Sequence, residues 1–200
     1  MSSVTNKKED NKLKKIAKKI IVKMIYLWGS IWYDKKYLVG KNFRMDTLSI
    51  GWKWVMKYWF PQKVLGYARE VPFPVPKNVT FSNVSNIEFC TDDMRNFHSP
   101  GCYFQAINAK IIIGKGTFIG PNCGIITTNH DLNDLTKSAE GKQIKIGENC
   151  WIGMNSVILP GVELGDKTIV GAGSIVTKSY LEGNCVIAGN PAKIIKYLNN

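Results

Sequence analysis

The chain has 200 residues, 44% hydrophobic and 21% charged, the profile of an ordinary globular domain with an appendage. A formal net charge of +12 suggests nucleic acid or an anionic membrane as partner, but the charge is confined: 17 Lys/Arg stand against 5 Asp/Glu through residue 80, and 10 against 10 thereafter. Five cysteines, odd in number and without a CxxC pair, argue against a disulfide framework and a Cys-type zinc site, and two histidines rule out a three-histidine metal centre within one chain.

The polar first ten residues do not read as a secretory signal, and the 13 residues from Ile20 to Trp32 are too few to span a bilayer. Residues 11–33 are predicted to form a basic amphipathic helix. Leu13, Ile16, Ala17, Ile20, Ile21, Met24, Leu27, Trp28, Ile31 and Trp32 recur at helical spacing, and Lys12, Lys14, Lys15, Lys18, Lys19 and Lys23 occupy most of the remaining surface. Two readings stand open. The helix lies on anionic lipid with Trp28 and Trp32 at headgroup level, or it packs its stripe on this subunit or a neighbour.

Residues 1–36 are assigned to this helix and residues 37–80 to an aromatic-rich and Pro-rich connecting region. Trp52, Trp54, Tyr58, Trp59 and Phe60 form a dense aromatic patch that suits a core, a membrane interface or an acceptor-binding surface. The run from Val71 to Pro76, with proline at every second position, reads as a stiff extended connector and a domain boundary.

Beyond residue 80 the texture changes. Fourteen of the 18 glycines lie between residues 101 and 200. Ile, Leu or Val recurs every six residues at Ile113, Ile119 and Ile125, then, after a break, at Ile146, Ile152, Ile158, Leu164, Val170 and Val176. Glycine usually follows, and four residues after the aliphatic comes a small side chain: Thr117, Cys123, Cys150, Ser156, Val162, Thr168 or Ser174. Cys123 and Cys150 thereby read as packing residues. A period of six implies a three-sided coil, each hexapeptide giving one short strand and one corner, with the glycine expected to serve the tight corner. The fold class is mainly β: a left-handed parallel β-helix of hexapeptide repeats over residues 81–195, with an N-terminal α-helical region and a tail at 196–200. Residues 130–143 interrupt the repeat, and a long excursion from a rigid solenoid is usually functional.

The excursion opens with Thr127-Thr128-Asn129-His130, and the coil resumes at Cys150-Trp151-Ile152-Gly153. Leu159-Pro160-Gly161-Val162, Gly171-Ala172-Gly173-Ser174-Ile175-Val176-Thr177-Lys178 and Ala188-Gly189-Asn190-Pro191-Ala192 follow. On these motifs residues 81–195 resemble the hexapeptide-repeat acyltransferases, in particular the sugar and xenobiotic O-acetyltransferases.

That resemblance implies a homotrimer with active sites between adjacent prisms, and direct transfer from acetyl-CoA with no metal required. His130 resembles the catalytic base of the family, since an imidazole can take a proton from a hydroxyl near neutral pH. Gln105, where related enzymes carry Asn, is a candidate for the acceptor or the developing oxyanion, with Asn129 and Trp151 beside it. Asp92, Asp93 and Asp131 are candidates to orient the imidazole. Gly153, Ala172 and Gly173 resemble the wall of the pantetheine groove, Thr177 and Lys178 its nucleotide end, and Lys193 and Lys196 are placed to meet phosphates. Met154 departs from the polar residue frequent there. His98 reads either as a hydrogen-bonded structural histidine or as a second acceptor contact.

The function expected is acetyl-CoA-dependent O-acetylation of a sugar hydroxyl on a surface polysaccharide or its precursor, in the cytoplasm and peripheral at the inner face of the membrane. Two alternatives stand beside it: acetylation of an antibiotic hydroxyl, and a trimeric scaffold or membrane-binding module without chemistry. The γ-class carbonic anhydrases on the same solenoid need three zinc histidines. The basic helix contacts no specific nucleic acid on this reading, because nothing in it reads bases.

Overall fold

A computed structural model describes residues 2–198, with side chains from residue 11 onward. The chain divides into two compact units, Met1–Val75 and Pro76–Asn200.

The first unit is more than a helix and a connector. Helix α1 (Ser2–Trp32) starts nine residues before the expected point and ends one residue short of it. Helix α2 (Ile50–Trp59) packs on it and runs into a single π-turn, Phe60–Val64, that contains Pro61. Close approach explains the glycine in α1: a Cβ on Gly29 would sit 3.0 Å from Val55. Aromatic edges seal the seam, with Trp28 and Trp59 ring centroids 4.6 Å apart and Tyr26 and Trp52 6.0 Å apart. Of the aromatic patch, Trp52 and Trp54 are core, Tyr58 and Trp59 are half-buried, and only Phe60 is exposed.

The Pro-rich run is not a free connector either. Val71, Phe73 and Val75 point into the core, and buried Gln62 holds the run along its length. The Gln62 amide donates to the Val71 and Phe73 carbonyls at 3.1 and 2.9 Å, and its carbonyl accepts from Val75 N–H and the Tyr33 hydroxyl. Residues 37–75 therefore fold with α1 as one unit, because the alternating hydrophobic residues between the prolines are buried there.

The second unit is a left-handed parallel β-helix with three faces. Thr80–Phe81, Tyr103–Gln105, Gly124–Ile126, Val157–Ile158 and Ile175–Val176 stack as the first face. Ile87–Phe89, Ile111–Ile113, Ile144–Ile146 and Glu163–Leu164 form the second. Phe118–Ile119, Trp151–Ile152, Ile169–Val170 and Cys185–Gly189 form the third, and Ala192–Tyr197 joins it antiparallel. That last strand covers the sheet edge and carries the ordered fold to Tyr197, past the expected end at 195. All nine repeat aliphatics and all seven small residues are buried.

The glycines do a different job from the one the spacing suggests. Those that follow the aliphatics have ordinary φ values, and the left-handed position is three residues after the aliphatic: Gly116, Asn122, Asn149, Asn155, Gly161, Lys167 and Gly173. Coil spacing is what requires the others. A Cβ on Gly153 would lie 2.6 Å from Ala172 N, and one on Gly120 would lie 2.8 Å from Met154 N.

The first coil has no strand on the third face. The short helix Thr91–His98 takes its place, and side chains there satisfy the backbone of the next coil. Asn96 accepts from Ile119 N–H and donates to Thr117 O, Ser99 donates to Ile119 O, and Asp93 accepts from Gly116 N–H at 2.6 Å. His98 belongs to this helix, its Nδ1 3.1 Å from Met94 O.

A methyl group at Gly153 forces two coils apart, so Gly153→Ala is expected to cost about 1 to 3 kcal/mol. Thermal unfolding checks this. Met154→Ala, at an exposed corner, serves as the neutral comparison.

Candidate active site

The excursion leaves the corner between the first and second faces, from Ile126 to Ile144. It is an ordered hairpin and not an irregular loop. Thr127 and Thr128 are buried and tie its root to the coil before. Thr127 N–H donates to Gln105 O, and its hydroxyl lies 2.9 Å from Gln105 O and 3.0 Å from Ile107 O. The Thr128 hydroxyl donates to Ala139 O, and Ala139 N–H donates to Asn129 O, at 2.8 Å each. His130 and Ser138 pair as an antiparallel bridge. On the return, a Cβ on Gly141 would stand 2.7 Å from Ile107 O, so this strand lies flat on the coil below.

The tip is built by two aspartates. Asp131 Oδ1 accepts from Asn133 and Asp134 N–H, and Asp134 Oδ1 accepts from the Thr136 N–H and hydroxyl. Asp134 also pairs with Lys137 at 3.0 Å; these contacts hold its carboxyl below the usual range, the Thr136 hydroxyl foremost.

This turn brings Leu135 O to 2.9 Å from Nδ1 of exposed His130. A carbonyl oxygen only accepts, so Nδ1 carries the proton and Nε2 presents a lone pair. The partner of the imidazole is thus a backbone carbonyl, in place of the expected Asp92, Asp93 or Asp131. Asp131 shapes the tip, while Asp93 caps the Gly116 backbone.

Gln105 lies on the first face, half-buried. Its Oε1 accepts from Thr128 N–H at 3.1 Å, two residues from His130, which turns the amide Nε2 into an available donor. Asn129 is exposed beside His130.

The remaining candidates fall into three places. Thr177 and Lys178 share the corner of His130, two coils further along, with Lys178 Nζ 5.7 Å from the Tyr180 ring. Gly153, Ala172 and Gly173 stack at another corner, between the third and first faces, where Gly173 N–H donates to Met154 O at 2.8 Å. There Ala172 and Gly173 are exposed, and a Cβ on Gly173 would meet nothing within 4 Å. Trp151 stands outward on the third face, 57% exposed and in register with Phe118. Lys193 and Lys196, on the last strand, are exposed on that face. A cleft of about 400 Å³ at the end of the prism is lined by Lys178, Tyr180, Leu181, Ile194 and Tyr197, and not by His130.

One prism therefore separates the histidine corner from the Ala172–Gly173 corner along the two edges of its first face. All five cysteines are free thiols and four are buried. Among the described residues no group of three His, Cys, Asp or Glu side chains converges to hold a metal ion.

The model for the hexapeptide repeat of succinyl-transferase matches residues 110–128 and 143–178, on either side of the hairpin. Over these residues the chain resembles the hexapeptide-repeat acyltransferases. A galactoside O-acetyltransferase of Escherichia coli is 38% identical over 125 residues, which cover 61% of this chain and 59% of that protein. One from Lactococcus lactis is 33% identical over 118 residues, covering 58% and 55%. The chain thus spans less than two thirds of the length of these curated relatives.

Two solved structures share the fold of the second unit. A galactoside acetyltransferase in complex with coenzyme A is 33% identical, with a TM-score of 0.50 over 62% of this chain and 61% of that one. A hexapeptide-repeat-containing acetyltransferase from Vibrio cholerae is 25% identical, with a TM-score of 0.51 over 63% and 70%.

Nitrogen-detected NMR of the imidazoles checks the geometry of the site. His130 is expected as the Nδ1–H tautomer in its neutral form, and a dominant Nε2–H signal would contradict the Leu135 contact.

Proposed function

We propose that this chain transfers an acetyl group from acetyl-CoA to a sugar hydroxyl. The observation that carries the reading is the His130 imidazole: Leu135 O holds Nδ1, and Nε2 is directed outward as a base from a rigid hairpin. The galactoside acetyltransferases among its relatives support the choice of acceptor class.

The exposed wall of Ala172 and Gly173 fits a thin pantetheine arm, because backbone there is bare of side chains, and Gly153 beneath keeps the coils close. Lys178, Lys193 and Lys196, with Thr177, are exposed to meet the nucleotide end, where lysines act as point charges on phosphates. Acetyl-CoA supplies the activated thioester. His130 Nε2 takes the proton of the acceptor hydroxyl, whose oxygen then attacks the thioester carbonyl. The Gln105 amide, fixed through its own carbonyl by Thr128, donates either to the acceptor or to the charge developing on the thioester oxygen. Asn129 and Trp151 serve acceptor binding, and the proton passes back to the departing thiolate.

In a single prism His130 and the wall stand at different corners, which supports a homotrimer in which each site joins the hairpin of one subunit to the wall of the next. Holding both substrates in one such cleft would contribute a large entropic share of the rate. The acceptor in this reading is a surface polysaccharide or its precursor, and the work is done in the cytoplasm at the inner face of the membrane, to which residues 11–33 attach. The basic, apolar-striped α1 supports that placement.

Thiol release from acetyl-CoA in the presence of galactosides tests the reading. His130→Ala is expected to lower the rate roughly a hundredfold to ten-thousandfold. Full activity in the variant would remove His130 as the base. Release that does not depend on added sugar would overturn the acceptor class.

A further inference from the structure

Helix α1 has two opposite apolar sides, and only one is used. Val22, Gly29 and Tyr33 are buried in the first unit. On the far side Leu13, Ile16, Ile20, Met24, Leu27 and Ile31 form a second stripe, and each is 46–73% exposed. Residues 11–21 have no buried member at all, so this half of the helix has no core of its own to hold it.

The character of the stripe restricts what can cover it. Its steps of three and four residues carry it from Leu13 to Ile31, 18 residues in five turns, which is the 3.6 period of a straight helix. A coiled-coil seam runs at 3.5 and would drift off this line, so the stripe suits a plane better than a supercoiled partner. Charge points the same way. Six lysines and no acidic residue lie within 11–33, and at 100° per residue Lys12, Lys19 and Lys23 flank the stripe on one side. A second copy would bring like charges together, whereas an anionic surface neutralises them.

Beside the stripe, Met24, Ile25, Trp28, Met56 and Trp59 line an apolar groove of about 420 Å³ between α1 and α2. Phe60, also exposed, begins the turn that follows α2. No helix among the described residues is long and apolar enough to cross a membrane.

We infer that the first unit docks flat on an anionic phospholipid bilayer, with the Leu13–Ile31 stripe inserted at the acyl boundary and the groove at Trp28 and Trp59 open to the same interface. This deepens the membrane placement above by naming the inserted side: the stripe that α2 does not cover. It rests on that placement and not on the chemistry at His130.

Flotation of the full chain with vesicles of phosphatidylcholine and 30% phosphatidylglycerol, against phosphatidylcholine alone, tests it, with thiol release measured on the same samples. The wild type is expected to float with the anionic vesicles and to stay down with the neutral ones. Leu13→Gln, Ile20→Gln and Leu27→Gln combined should abolish flotation. Lys12, Lys14 and Lys19 changed together to Gln should weaken partitioning roughly a hundredfold. Equal flotation of the stripe variant and the wild type would overturn the inference. So would a wild type that fails to float, or a stripe variant that changes the oligomeric mass while flotation persists. Because the stripe is exposed, the variant should keep its helical circular dichroism. Loss of flotation with thiol release intact leaves the acetyl-transfer reading standing, and the reverse pattern removes that reading alone.

Discussion

At Gly114, Gly120, Gly147, Gly153 and Gly165, each directly after an inward aliphatic, successive coils approach so closely that a side chain would strike the backbone of the next coil: 2.6 Å from Ala172 N in the case of Gly153. That spacing lets strands of two or three residues form continuous ladders on three faces. It also stacks Ile113, Ile146 and Leu164, and their counterparts on the other faces, into an unbroken apolar column. A solenoid built this way has little freedom to shift one coil against another, so whatever projects from a corner is held by the whole stack.

The hairpin uses this rigidity at both ends. Thr127 is fixed to the Gln105 and Ile107 carbonyls of the coil below, and the return strand lies on the same corner at Gly141. Between these anchors two Asx turns place one carbonyl, that of Leu135, against the imidazole. The groove-like wall at Ala172 and Gly173 depends on the same stacking but at a different corner. In the proposed assembly, chemistry arises only where the corner of one subunit meets that of another.

The repeat was legible because burial selects a side chain every six residues, and each of the nine aliphatics found that way is in the core. The reason for the glycines was less so: spacing alone suggests a turn directly after the aliphatic, while the left-handed turn lies two residues further on, where Asn122, Asn149, Asn155 and Lys167 carry it as often as Gly116, Gly161 and Gly173 do. The first unit was harder again. Gln62 satisfies five groups from distant positions, a role no local pattern announces, so the Pro-rich run looked like a connector. At the site, His130 was recognisable from its place at the break in the repeat. Its partner was not, since a backbone carbonyl leaves no mark in the sequence, and attention fell on nearby carboxylates instead.

The charge asymmetry gains a physical sense from the division of the chain. The basic first unit leaves a lysine-flanked apolar stripe uncovered, while the electrically balanced prism carries the histidine and the wall. The most direct test of the account is activity in mixed oligomers of two variants that are each inactive alone, His130→Ala and Ala172→Trp. If the hairpin of one prism works against the wall of another, co-expression restores acetyl transfer in the hybrids. Hybrids as inactive as both parents would contradict it.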